Sequence, residues 1–78
     1  MRSMSAVFEA RVFDGQSAQP VHMEAMREGG MLRFGDEAIA LAELRRVDGK
    51  TGLTLHRLDL PDWRMMLPAE AASDFRDV

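Results

Sequence analysis

Two histidines, His22 and His56, are the residues of this 78-residue chain best suited to acid–base or metal chemistry. Zinc sites need three or four ligands from histidine, cysteine or carboxylate side chains, and the chain has no cysteine. His56 with Asp59 could polarise a nucleophile, but no serine or threonine lies in a nucleophile-elbow sequence. We therefore predict no catalytic residue, no metal site and no cofactor, and we expect both histidines to face solvent from strands.

Four arginines could converge on one side of the molecule as a basic patch. Such a patch would bind a phosphorylated headgroup or an acidic peptide, because guanidinium groups form strong bidentate hydrogen bonds with anions. These candidates are Arg45, Arg46, Arg57 and Arg64. The interpretation that we favour is cross-strand pairing with the acidic residues Glu43, Asp48, Asp59 and Asp62.

Met26 and Met66 form a second candidate surface. Both lie out of phase with the apolar residues of their own segments, whereas Met23 and Met65 are in phase and predicted to fill the core. If Met26 and Met66 are exposed together, they mark an interaction patch.

The elements that must position these residues are short strands. Phe8, Ala10 and Val12 alternate with polar neighbours, which is the period of a half-buried strand. Similar alternation separated by Gly and Pro turns predicts six or seven antiparallel strands in a small barrel or sandwich. The predicted segments are 7–13, 21–26, 31–34, 37–41, 53–60 and 63–67, with one C-terminal helix over 69–76 whose Phe75 packs on the sheet.

Two segments do not follow the simple strand pattern: one also fits a helix, and in the other the apolar residues change face. Residues 37–46 contain good helix formers, so one helix competes with two short strands bent near Ala42-Glu43, which we prefer because turns bracket the run. In residues 53–60 the leucines change phase between Leu55 and Leu58. A strand cannot keep both inward without an extra residue, so we predict a β-bulge at His56-Arg57.

Composition and charge limit the partners. The net charge of −3 disfavours nucleic acid and anionic membrane surfaces, which attract clustered basic residues. The longest apolar run, Ala38–Ala42, is far shorter than a membrane span, so direct membrane insertion is not expected. We expect a disordered tail over residues 1–5, a single domain over 6–78 and a cytoplasmic location.

Two segments resemble a known family. The residues 10–18, Ala-Arg-Val-Phe-Asp-Gly-Gln-Ser-Ala, resemble the opening of a small N-terminal domain of bacterial M48-type (zinc metallopeptidase) membrane proteins. Leu53 to Leu60 followed by Pro61-Asp62 resembles the later strand and turn of that domain. The resemblance implies a PH-like barrel with a C-terminal helix and an accessory role beside a peptidase, at the cytoplasmic face of the membrane if the two are fused. The His-Glu-x-x-His motif of the peptidase does not occur in this chain.

The function expected from these observations is that of a non-catalytic interaction module. It would bind a peptide segment or a partner domain at an exposed strand edge or in the groove beside the helix, and the partner could be a peptidase domain. The alternatives are a module for lipid headgroups or phosphate and a homo-oligomeric structural domain. The oligomeric state is left open.

Overall fold

The computed structural model describes residues 6–78, which form one antiparallel sheet of seven strands. The strands are β1 (Val7–Phe13), β2 (Val21–Glu28), β3 (Met31–Phe34), β4 (Glu37–Ala40), β5 (Leu44–Asp48), β6 (Gly52–Arg57) and β7 (Arg64–Pro68). The predicted mainly β class is therefore confirmed, while the PH-like assignment stays a prediction. The predicted tail over residues 1–5 lies outside the described residues.

The sheet must curl, because the strands at its two edges follow each other directly in the chain. The strand order is β4-β3-β2-β1-β7-β6-β5, so β4 and β5 are the edge strands. A flat sheet would hold its first and seventh strands roughly 29 Å apart. The connection from Ala40 to Leu44 is a 3-10 helix, Leu41–Glu43, and four residues span about 14 Å at most. The sheet therefore folds into a half-barrel with one concave face.

The concave face holds an apolar core supplied by alternating strand residues. On β1 the pattern is regular, with Phe8, Ala10 and Val12 buried between exposed neighbours, as their alternation predicts. All buried side chains among residues 6–78 are apolar. Phe34 and Trp63 join the two halves of the core, with ring centroids 5.6 Å apart.

The segment over residues 37–46 forms two strands, as preferred from the sequence, and not one helix. β4 ends at Ala40, and β5 begins at Leu44 after the 3-10 helix. The amide of Leu41 donates a hydrogen bond to the carbonyl oxygen of Gly30 at 2.9 Å, which fixes the bend against the β2–β3 turn. Pairing with β3 and β6 therefore overrides the helix propensity of these residues.

The C-terminal segment (residues 69–78) does not form the predicted α-helix. It contains a 3-10 helix, Ala69–Ala71, followed by turns with hydrogen bonds between residues three apart, such as Asp74 N to Ala71 O. A helix of this length is marginal by itself. Phe75 is nonetheless fully buried on the sheet, as predicted. No helix among residues 6–78 is long and apolar enough to cross a lipid bilayer.

The predicted bulge at His56-Arg57 is wrong. β6 pairs without interruption with β5 and with β7, and the strand ends at Arg57. Leu58 and Leu60 lie after the strand and are exposed, with relative accessibilities of 61% and 47%. The change of apolar phase therefore marks the end of the strand, and no extra residue is needed.

Candidate interaction surface

Arg45 and Arg46 are adjacent on β5 and point to opposite faces of the sheet, because successive strand side chains alternate. Arg46 pairs with Leu55 of β6 and faces the concave side. Arg45 pairs with His56, which in turn pairs with Arg64 of β7, all on the convex face. The expected convergence of four arginines on one side is therefore wrong for this pair.

Arg46 holds the C-terminal segment. Its guanidinium group donates hydrogen bonds to the carbonyl oxygens of Ala72 and Phe75, at 3.0 and 2.8 Å, and forms an ion pair with Asp48. Arg46 therefore links β5 to the C-terminal segment and serves the fold.

Arg57 also lies on the concave side, where it pairs with Leu44. It donates two hydrogen bonds of 3.1 Å to the carboxylate of Asp59, and its guanidinium carbon lies 5.7 Å from the ring centroid of Trp63. The favoured cross-strand pairing of these arginines with acids is wrong. Arg57 and Arg46 each pair with an acid two residues along the chain and not on a neighbouring strand.

Arg45 and Arg64 form, with His56 between them, a cationic row on the convex face (Arg45, His56 and Arg64). Directly opposed residues on neighbouring strands bring their Cβ atoms to roughly 5 Å. The row continues to Phe13 on β1, whose ring centroid lies 4.2 Å from the guanidinium carbon of Arg64. Within residues 6–78, neither Arg45 nor Arg64 forms a salt bridge.

The charges of the cationic row act on its central histidine. Partial burial lowers the pKa of His56 below its ordinary value, and the positive charges of Arg45 and Arg64 lower it further. Both arginines therefore project their field onto one small area of the convex face, and an anion placed there would be attracted by both of them.

Met26 and Met66 share the convex face but are not brought together. Met26 pairs with Val7 of β1, and Met66 pairs with Arg11 of the same strand. Four residues of a strand span about 13 Å, and the two methionines also lie on opposite sides of β1. Both are only partly exposed, so they do not form the single patch that was expected.

An open strand edge borders the cationic row. β5 pairs with β6 on one side and has no strand on its other side within residues 6–78. A groove of about 610 Å³ lies between this strand and the C-terminal segment, lined by Arg46, Asp48, Ala72, Ser73, Arg76 and Val78. The arrangement offers unpaired backbone groups beside a row of positive charge.

Two functional contributions were missed from the sequence. Arg27 donates hydrogen bonds to the carbonyl oxygen of Asp74 and to the carboxylate of Asp77, and it thereby links β2 to the C-terminal segment. His56 was expected only to face solvent, yet it occupies the centre of the cationic row. The alternation of strand side chains could have indicated this arrangement from the sequence. Arg45 follows the apolar Leu44 and Arg64 precedes the apolar Met65, so both arginines are expected to face outward.

Comparison with known proteins finds one match. A family model described as a domain of unknown function, DUF7092, matches residues 7–74, which cover all seven strands. Neither the curated proteins nor the solved structures contain a match to this chain.

Proposed function

The chain belongs to the DUF7092 family, and we propose that it is a non-catalytic module that binds an extended segment of a partner protein along the open edge of β5. The observation that carries this proposal is the position of β5 at the edge of the sheet, between the cationic row and the groove that the C-terminal segment borders. A segment added there would complete backbone hydrogen bonds that the sheet leaves open.

Strand addition suits β5 better than the other edge. β5 has five residues, and β4 has four. The groove beside β5 gives room for the side chains of an added strand, which alternate between the convex face and the groove. Backbone pairing supplies affinity in this mode, and the flanking side chains supply specificity.

A peptidase domain is the partner that we propose to test first. Residues 10–18 and 53–62 are similar to the accessory domain of M48-type membrane metallopeptidases, as described above. In that setting the module would position or regulate the peptidase through an extended segment of it. This part of the proposal depends on the resemblance alone, whereas the edge geometry of β5 supports strand addition whatever the partner.

Photo-crosslinking tests the proposed mode directly. A photoreactive amino acid is placed at Arg45 or at Val47 of β5 in separate variants, and at Ala38 of β4 as the control edge. Because a paired strand keeps register, we expect crosslinks from positions 45 and 47 to fall on partner residues that are two apart. The products are mapped by mass spectrometry.

Two results would contradict the proposal. Equal crosslinking from Ala38 would show that the partner does not select β5. Crosslinks from positions 45 and 47 that scatter over the partner without a fixed two-residue offset would show that no strand is added.

A further inference from the structure

We infer that the segment bound at β5 carries an acidic side chain opposite Arg45 and an apolar side chain two residues away, opposite Val47. The inference rests on the proposed strand addition and adds the chemistry of the partner. It follows from which side chains β5 presents on its convex face and from the fact that Arg45 forms no salt bridge among residues 6–78.

Arg45 and Val47 are the two residues of β5 that face the convex side. Their partners on β6 are His56 and Thr54, respectively. A strand added to the free edge of β5 would place one side chain directly opposite each of them, on the same face. These two positions are two residues apart in the added segment, whether it runs parallel or antiparallel to β5.

The position opposite Arg45 favours an acidic residue. Among residues 6–78, Arg45 and Arg64 have no salt-bridge partner, and Asp48 of the same strand is already paired with Arg46 on the other face. A carboxylate on the added strand, opposite Arg45, would give this arginine the salt-bridge partner that it does not have among residues 6–78. A lysine or arginine in that place would meet like charge and be disfavoured.

The position opposite Val47 favours an apolar residue. Val47 has a relative accessibility of 43%, which is high for an aliphatic side chain on a strand. Its neighbour on β6 is Thr54, which is half-buried. An aliphatic side chain on an added strand would cover Val47 and remove apolar surface from water.

A set of matched peptides tests the pattern on the whole 78-residue chain. The peptide Ser-Asp-Thr-Val-Thr-Asp-Ser places an acid two residues from valine in both directions, so it satisfies the pattern in either strand orientation. The peptide Ser-Thr-Asp-Val-Asp-Thr-Ser has the same composition but puts the acids and the valine on opposite faces. A third peptide replaces both aspartates of the first with lysine.

Binding is followed by amide chemical shifts of the labelled protein. We expect the first peptide to perturb β5 amides and to bind about threefold more tightly than the second, since each cross-strand pair contributes modestly, and the lysine peptide to bind weakest. In the variant Arg45→Gln the preference for the first peptide over the lysine peptide is expected to disappear. In Arg33→Gln, whose side chain lies on β3 beside Glu28, the preference should persist.

The outcomes separate the two proposals. Equal binding of all three peptides at β5 overturns the acidic–apolar pattern and leaves strand addition standing. Perturbation of β4 or of the concave face in place of β5 overturns both.

In a parallel arm, vesicles of phosphatidylcholine with phosphatidylserine are added. Sedimentation with them that is lost in Arg45→Gln, without peptide binding at β5, would assign the cationic row to lipid headgroups and overturn the inference.

Discussion

Gly52 occupies a position where the backbones of β6 and β7 approach too closely for a side chain. A Cβ atom placed on Gly52 would overlap the carbonyl oxygen of Leu67 and lie 3.2 Å from its carbonyl carbon. Both atoms belong to the backbone, so the clash cannot be relieved by a side-chain rotation. The absence of a side chain at this position is therefore a condition for the β6–β7 pairing on which the cationic row depends.

We predict that Gly52→Ala lowers the free energy of unfolding by about 2 kcal/mol, as overpacking against a fixed backbone typically does. Urea denaturation measures the change. Gly30→Ala is the matched control, because a Cβ atom there would have no neighbour within 4 Å and its backbone has no positive φ. Equal stability loss in both variants would show that the contact with Leu67 is not the cause.

At the level of single residues, the sequence analysis grouped four arginines that the structure divides between the two faces of the sheet. Arg45 and Arg46 were grouped because they are adjacent, although adjacency in a strand places them on opposite faces. Parity alone separates them, since Leu44 is buried and Arg45 must then face outward. The engagement of Arg46 with Ala72 and Phe75 depends on contacts 26 and 29 residues away along the chain, and no local pattern indicates it.

Among the elements, the strands were predictable and the C-terminal segment was not. Alternation marked β1 and β3 with their observed bounds, because one face of each strand is buried and the other is exposed. The composition of residues 69–76 favoured a helix, yet the structure has a 3-10 helix and turns there. Arg27 and Arg46 bind carbonyl oxygens of this segment, and such tertiary contacts are not contained in helix propensity.

We predict that Arg46→Met loosens the C-terminal segment. The substitution removes two hydrogen bonds from a charged donor to the carbonyl oxygens of Ala72 and Phe75, each worth about 1.5–3 kcal/mol when the donor is charged. Amide hydrogen exchange should become faster over residues 69–78 while β1 keeps its protection.

Arg57→Met is the matched control for that experiment. The side chain of Arg57 is similarly shielded, with 19% relative accessibility against 16% for Arg46, but its hydrogen bonds go to Asp59 and not to the C-terminal segment. If both variants accelerate exchange over residues 69–78 to the same extent, the hydrogen bonds of Arg46 do not hold this segment.

In the whole molecule, the pairing of β1 with β7 joins two runs of hairpins into one curled sheet. β1 to β4 pair in chain order, and so do β5 to β7, so each run follows from its turns. Val12 pairs with Met65, more than fifty residues later in the chain, and no turn signal in the sequence indicates this pairing. The sequence could therefore predict a barrel or sandwich, but not which two strands would form its open edges and border the candidate surface.

The charge distribution of the folded molecule predicts that acid destabilises it in two stages. The folded state lowers the pKa of His56 below 6.5, through burial and the charges of Arg45 and Arg64. Below pH 6.5 the unfolded chain therefore binds more protons than the folded chain, and stability falls as the pH decreases through this window. Hydrogen bonds from Arg57 and Arg27 hold the pKa values of Asp59 and Asp77 below 3.8, so their contribution is present above that pH and is lost as the pH falls further.

Urea denaturation at a series of pH values resolves the two stages and assigns them. We expect His56→Gln to abolish the loss of stability that begins near pH 6.5, and His22→Gln, which changes the other histidine, to retain it. Arg45→Gln should reduce this loss, because removing one positive charge moves the pKa of His56 back toward 6.5. A first stage that survives in His56→Gln would show that His56 is not the group responsible for it.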